Sequence, residues 1–358
     1  MKRRAQTAFT IVELLVAMTV LLLVVAFLIN ASSQAGGVLQ DTAKKLEQFR
    51  EARLAFDSVT LRLTDATLNT YWDYTYRTEA GKKVPASYSR QSELRFRSGS
   101  MERLAPSSAI HRPTHGVFFQ APVGETDDDA HRPLAQALNT WGFFLETGSD
   151  EDLLPPMLVG RVPSRVRSRL YELREPTEVL SIYKALPLAP AKWYADSIEA
   201  GTARPVRVLA ENIVALVILP RLSRVDELAR GNKPALSPRY DYDSTHASNH
   251  TPPLSPADPE INPKNQLPPV LQVIMVAIDE TSAQRLAAKH GSERDLGIHT
   301  DDLFQKAAML EDNPDTQAAG DGDLHELESR LIAEHASYRI FSTSVAIRGA
   351  KWSRAQSE

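Results

Sequence analysis

Hydrophobic residues dominate one stretch near the start of the chain. From Phe9 to Ile29 the sequence is apolar apart from two threonines, and Glu13 is its only charged residue. A helix of these 21 residues would be about 31 Å long, which is enough to cross the apolar core of a bilayer. The pattern therefore predicts a transmembrane helix over residues 9–29.

The charges that flank this stretch predict its orientation. Lys2, Arg3 and Arg4 precede it, whereas residues 30–42 contain no lysine or arginine. Positively charged flanks stay on the cytoplasmic side of a membrane. We therefore expect a single-pass protein whose N-terminus is cytoplasmic and whose remaining residues lie outside the cytoplasm.

A second periodic pattern follows Gly36-Gly37. Apolar residues recur at steps of three and four and form one face of a helix, while charged residues fill the other faces. The apolar set is Leu46, Phe49, Ala52, Phe56, Val59, Leu63 and Ala66. We predict that residues 30–66 form the exposed part of the N-terminal helix. A continuous helix from Phe9 to Ala66 would be about 87 Å long, and the two glycines mark the place where it would bend most easily.

Segments beyond residue 66 predict strands, because they alternate in polarity or are rich in aromatic and β-branched residues. These segments are 93–97, 116–119, 141–145, 169–174, 212–219, 270–278 and 337–347. Together with the helix they predict an α+β fold, in which the long N-terminal helix packs on an antiparallel β-sheet head formed by residues 67–350. Two long insertions interrupt the head: a Pro-rich loop at 222–269 and a charged, partly helical segment at 281–335.

Glu13 is the most unusual residue of the apolar stretch. A carboxylate is costly in lipid, so an acid in a transmembrane segment suggests a functional role. One explanation is a positive partner from another chain, such as the free amine that a cut before Phe9 would expose. The other is that Glu13 lies near the headgroups of a plain signal anchor. Its placement alone leaves both explanations open.

The segment from Phe9 to Met18, FTIVELLVAM, resembles the class III signal of type IV prepilins and type II secretion pseudopilins. That family has a short basic leader, Phe at the first mature position and Glu at the fifth, which Phe9 and Glu13 match. The resemblance implies that a prepilin peptidase removes a leader, residues 1–8, by cutting between Ala8 and Phe9, and that the Phe9 amine is then methylated. The family usually has Gly before the cut, where this chain has Ala8.

The same resemblance implies partners and a location. Glu13 would pair with the Phe9 amine of a neighbouring pilin-like subunit during assembly. The partners would be the prepilin peptidase, other pilin-like subunits and the inner (cytoplasmic) membrane. The head would be periplasmic, or carried on a filament at the cell surface.

The C-terminal half carries a looser resemblance. Residues 207–216, a later apolar strand and residues 338–348 follow one another as in the J-type minor pseudopilins and the W-type minor pilins. Residues 267–280, together with the long insertions, are more similar to the Verru_Chthon cassette protein C family, whose members are themselves prepilin-like. The resemblance implies a structural minor subunit of a pilus-like filament, in a type II secretion or type IV pilus-like system.

Composition excludes several kinds of chemistry. The chain has no cysteine, which excludes disulfides, Cys-ligated zinc and thiol nucleophiles. Its net charge of −4 lacks the basic surplus typical of nucleic-acid-binding proteins, so we expect no nucleic-acid partner. The histidine pairs His111/His115 and His246/His250 lack the features of a zinc helix, and the acidic clusters at 125–129 and 312–323 lack EF-hand spacing. We expect no enzyme activity, no cofactor and no bound metal.

Other interpretations remain. Residues 31–35 include small side chains of the kind that a signal peptidase accepts, although the apolar stretch is longer than that of an ordinary secretion signal. The mature N-terminus, Phe9 or a residue after Ala31, distinguishes these two signals. The head could alternatively be a membrane-anchored binding module that recognises a secreted substrate or a surface polymer, or an enzyme of an unrecognised class.

Overall fold

A computed structural model describes most of the chain, and contacts divide it into two units, Met1–Arg50 and Glu51–Glu358. The described residues are 11–107, 109–155, 157–184, 192–199, 204–229, 236–246, 263–291, 296–311, 320 and 322–352. Within these ranges, the side chains at 13, 30–48, 152, 192 and 229 are not described.

The first element is a single helix, α1, which runs from Ile11 to Thr64 and continues through Gly36 and Gly37. Its sequence contains no proline, and Arg62 lies in the last turn, where a cation interacts favourably with the helix dipole. Within the second unit its buried face consists of Ala52, Ala55, Phe56, Val59 and Leu63. In the described part of the chain, no helix combines the length and the apolarity needed to cross a membrane.

The remaining elements belong to the second unit. The helices are α2 (Met101–Leu104), α3 (Ser181–Lys184), α4 (Lys192–Ile198), α5 (Arg224–Ala229), α6 (Glu280–His290) and α7 (Asp323–Ala333), with 3₁₀ turns at Asp129–His131, Glu151–Leu153, Thr177–Val179 and Ala307–Met309. The strands are β1 (Tyr71–Glu79), β2 (Lys82–Gln91), β3 (Arg97–Ser100), β4 (His115–Pro122), β5 (Leu138–Ser149), β6 (Val166–Glu175), β7 (Val206–Glu211), β8 (Ile213–Arg221), β9 (Tyr242–Asp243), β10 (Val270–Ile278) and β11 (Tyr338–Ala346).

These strands form three antiparallel sheets. The largest has the order β7-β6-β5-β4-β3-β9, a second has the order β11-β10-β8, and β1 pairs with β2 in a two-stranded ribbon. The fold is therefore α+β with antiparallel sheets, as the sequence predicts.

An aromatic core covers one face of the six-stranded sheet. Phe118 of β4 stacks on Tyr194 of α4, with ring centroids 4.1 Å apart, and also contacts Phe144 of β5 and the edge of Trp193. Gly142 of β5 leaves room for this packing, because a Cβ atom there would lie 2.4 Å from the Phe118 ring. The short helices between β6 and β7 are thus held on the sheet by aromatic side chains.

The three-stranded sheet is covered on both faces. On one face Phe341 of β11 lies 5.7 Å from Phe56 of α1, measured between ring centroids. On the other face, Ile274 and Val276 of β10 belong to a core cluster with Leu286 of α6, Leu327 of α7 and Phe304. Double coverage explains why β8 and β10 are continuous apolar runs rather than alternating ones.

Side chains of Thr114, of His115 in β4 and of Ser168 in β6 cover the outer edge of β8. The Thr114 hydroxyl accepts a hydrogen bond from the Leu216 amide (3.1 Å), and Nδ1 of His115 accepts one from the Ile218 amide (3.1 Å). The Ser168 hydroxyl donates to the Ile213 carbonyl at 2.6 Å. These bonds satisfy backbone groups that an edge strand would otherwise expose, and they join β8 to the six-stranded sheet.

The structure differs from the predicted strand at 93–97. Only Arg97 belongs to β3, because side chains bind the preceding backbone: Oδ1 of Asn69 accepts hydrogen bonds from the Glu93 and Leu94 amides, and Oε1 of Gln120 accepts one from the Arg95 amide. The Pro-rich segment 222–269 also contains more than loop: α5 and β9 lie in it, and Leu236, Tyr240 and Tyr242 are buried.

Buried His115 predicts a pH dependence of stability. Its Nε2 donates to the Phe304 carbonyl at 3.0 Å, and burial lowers the pKa of His115 from 6.5 to about 4. Between these values the unfolded chain binds a proton that the folded head does not. The free energy of unfolding should therefore fall by about 3 kcal/mol as the pH drops through this range, and His115 should contribute no pH dependence above it.

Urea unfolding of the full-length chain in detergent at several pH values measures this effect. His115→Gln should be less stable at neutral pH, since glutamine replaces at best one of the two bonds, and its stability should fall less steeply on acidification. His131→Gln is the control. The hydrogen bond with the Glu178 carboxylate raises the pKa of His131, so this change should not reduce the loss of stability on acidification. Parallel curves for His115→Gln and the unmodified chain would contradict the assignment.

Candidate functional site

The predicted processing site lies at the start of the described chain. Ala8 and Phe9 lie outside the described residues. Glu13 is in the first turns of α1, but its side chain is not described. The cut between Ala8 and Phe9, methylation of Phe9 and the pairing of Glu13 therefore stay predictions from the sequence.

The surface around Glu13 is apolar and open. Fifteen large apolar side chains from Ile11 to Ile29 are 42–83% exposed. They point in all directions around the helix, as expected for a segment that is apolar on every face. Burying one such side chain contributes about 1.5–3 kcal/mol. The segment can therefore bind strongly to lipid or to other apolar helices.

Thr19 shows how a hydroxyl is accommodated on this surface. Its Oγ1 donates to the backbone carbonyls of α1, at 2.8 Å from the Val16 oxygen and 3.2 Å from the Leu15 oxygen. Because the helix itself satisfies this group, Thr19 does not need water as a partner. The segment thus accepts an apolar environment at this position.

Buried charges in the head form an ion network. Nε of Arg112 lies 3.1 Å from Oε1 of Glu146, and Nη2 of Arg204 lies 2.7 Å from Oε2 of the same carboxylate. Arg112 also donates to the carbonyls of Ala105 and Ile198. The Arg112 and Glu146 side chains are 2% and 6% exposed. The network therefore ties the loop before β4 to β5 and to the end of α4.

A cleft of about 260 Å³ lies nearby and is lined by charges that pair with each other. Glu125 lies 3.2 Å from Arg174, and the buried Glu172 carboxylate bonds with Arg207. Burial raises the pKa of Glu172, while its arginine neighbours act in the opposite direction. The pairing favours a structural role for these groups over acid–base chemistry.

The described histidines have separate partners. Nε2 of His111 lies 3.0 Å from Oδ1 of Asp301, Nδ1 of His131 lies 2.8 Å from Oε1 of Glu178, and His115 bonds only with backbone. Across the described residues, no group of three or more His, Asp or Glu side chains is arranged to hold a metal ion. The acidic cluster at 125–129 instead forms local bonds, for example from the Ala130 amide to the Asp128 carboxylate.

Comparison with known proteins gives one family match. Residues 3–29 match the family model for the prokaryotic N-terminal methylation motif. This match covers residues 3–8 of the predicted leader, Phe9, Glu13 and the apolar stretch, and it supports a type IV pilin-like protein, a structural rather than an enzymatic class. No curated protein and no solved structure matches the chain significantly.

The ion network generates a prediction. Glu146→Ala should leave Arg112 buried without its carboxylate and lower the free energy of unfolding by about 3–5 kcal/mol. The matched control is Glu199→Ala, because Glu199 is 53% exposed and lies 3.9 Å from Arg112. That change should alter stability by less than about 0.5 kcal/mol. Urea midpoints of the full-length chain measure both effects, and equal losses would contradict the central role of Glu146.

Proposed function

We propose that this chain is a minor pilin-like subunit that is anchored in the inner membrane and assembles through its N-terminal helix into a pilus-like filament. The filament would belong to a type II secretion or type IV pilus-like system. The match of residues 3–29 to the N-terminal methylation motif carries this proposal. The exposed apolar side chains from Ile11 to Ile29 support it, because both lipid and a bundle of identical helices would cover them.

Processing is the first step of the proposal. A prepilin peptidase cuts between Ala8 and Phe9, releases residues 1–8 and leaves a new amine on Phe9, which is then methylated. The basic leader stays in the cytoplasm, and residues 9–29 lie in the bilayer. Residues 30–66 continue the helix outside the membrane, and residues 67–350 form the periplasmic head.

Assembly is the second step. The Glu13 carboxylate pairs with the Phe9 amine of an adjacent subunit when the helix leaves the lipid. A lone charge in an apolar environment is costly, whereas a pair that is well placed offsets much of that cost. The pair therefore sets the register between neighbouring helices, which apolar contacts alone specify poorly.

The similarity of residues 207–216 and 338–348 to J-type pseudopilins and W-type minor pilins favours a minor rather than a major subunit. Within the head, these segments correspond to β7 with the start of β8 and to β11. The closer similarity to the Verru_Chthon cassette protein C family agrees with this position.

The loop between β5 and β6 favours a second candidate function, a membrane-anchored binding module. Leu153, Met157 and Val159 in this loop are 50%, 73% and 45% exposed. Exposed apolar groups in a loop are common in recognition sites. Retention of a secreted substrate or surface polymer by the full-length chain, without sister subunits, would favour this function over assembly.

Removal of the Glu13 carboxylate tests the assembly step. Glu13→Ala should insert into the membrane normally but reduce the fraction of the chain in sheared filaments at least tenfold, because the Phe9 amine of the neighbour loses its partner. Quantitative immunoblots of membrane and filament fractions measure this. Glu13→Asp, which keeps the charge, should retain part of the assembly. Normal assembly of Glu13→Ala would exclude the pairing.

Intact-mass measurement of the native protein tests the processing step. The mature chain should begin at Phe9 and carry one N-terminal methyl group. Ala8→Arg should block the cut by placing a large charge where the family has a small residue, whereas Ala5→Arg, three positions upstream, should not. A native chain that retains residues 1–8, or that begins after Ala31, would overturn the proposal.

A further inference from the structure

The β1–β2 ribbon is the most open element of the head. It is a two-stranded sheet, and most of its residues are exposed on both faces. Its base is fixed, because Nδ2 of Asn265 donates to the Arg90 carbonyl at 2.6 Å. A two-stranded ribbon without a core is only marginally stable in water. The exposed side chains of this ribbon therefore have to supply its own stabilisation or a binding surface.

The strand register separates two faces of different chemistry. Trp72 is opposite Arg90, Tyr74 is opposite Tyr88, and Thr78 is opposite Lys83. Side chains of β1 alternate between faces, but the register shifts by one residue between Thr75 and Tyr76, so the β2 side chains are assigned to a face by their β1 partners. One face, called the aromatic face, therefore contains Trp72, Tyr74, Tyr76, Lys83, Tyr88 and Arg90. The acids of the ribbon, Asp73 and Glu79, lie on the opposite face.

The rings of the aromatic face form a ladder. Trp72 and Tyr88 stack with centroids 5.6 Å apart and planes at 23°, and Tyr88 lies 5.1 Å from Tyr74. Such cross-strand pairs stabilise a ribbon. The four aromatic residues nevertheless remain 38–57% exposed, and Tyr76 is the most exposed of them. A large part of the ring surface is thus open to a ligand.

Cations at both ends of the ladder have no acidic partner among the described residues. The Arg90 guanidinium lies over Trp72, 5.6 Å from the ring centroid, and donates to the neutral oxygens of Gln266 and Lys351. Lys83, near the turn of the ribbon, is exposed and forms no ion pair in the described part of the chain. The aromatic face is therefore positive, although the whole chain has a net charge of −4. The expectation of no nucleic-acid partner rests on that net charge and does not describe this face.

We infer that the aromatic face binds single-stranded nucleic acid. Each nucleotide carries a flat ring that stacks on aromatic side chains and a phosphate that attracts cations. Alternate residues of a strand are about 6.7 Å apart, so the face from Trp72 to Thr78 spans about 20 Å and holds a few nucleotides. A neutral polysaccharide would leave the cations unused, and an acidic protein would use them without needing four rings. This inference does not depend on filament assembly.

Fluorescence anisotropy with a labelled oligo-dT and the full-length chain in detergent tests the inference. Tyr74→Ala should weaken binding about tenfold, whereas Tyr71→Ala, which removes a similar ring from the opposite face, should have little effect. Lys83→Ala should weaken binding and reduce the slope of log affinity against log salt concentration by about 0.7. Lys82→Ala, the neighbouring lysine on the opposite face, should not change the slope.

Further probes separate the nucleic acid from other ligands. Tyr74→Phe keeps the ring and should keep binding, which distinguishes stacking from a loss of folding. Tighter binding of an anionic polysaccharide such as polygalacturonate, or of poly-glutamate, would overturn the assignment to nucleic acid. Absence of oligo-dT binding, or equal losses in variants of the two faces, would overturn it as well.

Discussion

The apolar surface of α1 from Ile11 to Ile29 is the constraint on which the rest of the molecule depends. The side chains of this segment are largely exposed, and only a bilayer or other apolar helices would cover them on every side. Under the proposed function, both environments cover the same surface in turn. The helix would then move from the lipid into the helix bundle without exposing its apolar side chains to water. Glu13 would distinguish the two environments, because it finds the Phe9 amine of an adjacent subunit only in the bundle.

Local periodicity explains how much of the fold could be predicted from the sequence. The part of α1 in the second unit and the strands β4, β5, β6, β8, β10 and β11 correspond to apolar runs or alternation, because each is buried on at least one face. The β1–β2 ribbon was not predicted, because both of its faces are exposed. Its position therefore requires neither an apolar run nor an alternation of apolar and polar residues in 71–91. The strand at 93–97 was wrong because distant side chains, those of Asn69 and Gln120, bind its backbone.

For the candidate site too, the sequence indicates residues that lie in one contiguous motif but not residues that are joined by long-range contacts. Ala8, Phe9 and Glu13 could be proposed from the sequence because their signal is a contiguous motif, and the methylation-motif match spans the same positions. The ion network of Arg112, Glu146 and Arg204 carries no such signal, since its members are 34 and 58 positions apart. Nothing in the spacing of His111 and His115 indicates that His115 is buried where two sheets meet. Residues that act through long-range contacts could not be recognised from spacing alone.

Heads carried on adjacent subunits of a filament would be held at very high local concentration. An open edge on an apolar strand would let such heads fuse into one continuous sheet, which is hard to reverse. Thr114, His115 and Ser168 occupy that edge of β8. Pairing of heads through this strand is thereby blocked, so heads crowded together in this way would separate without unfolding this part of the structure.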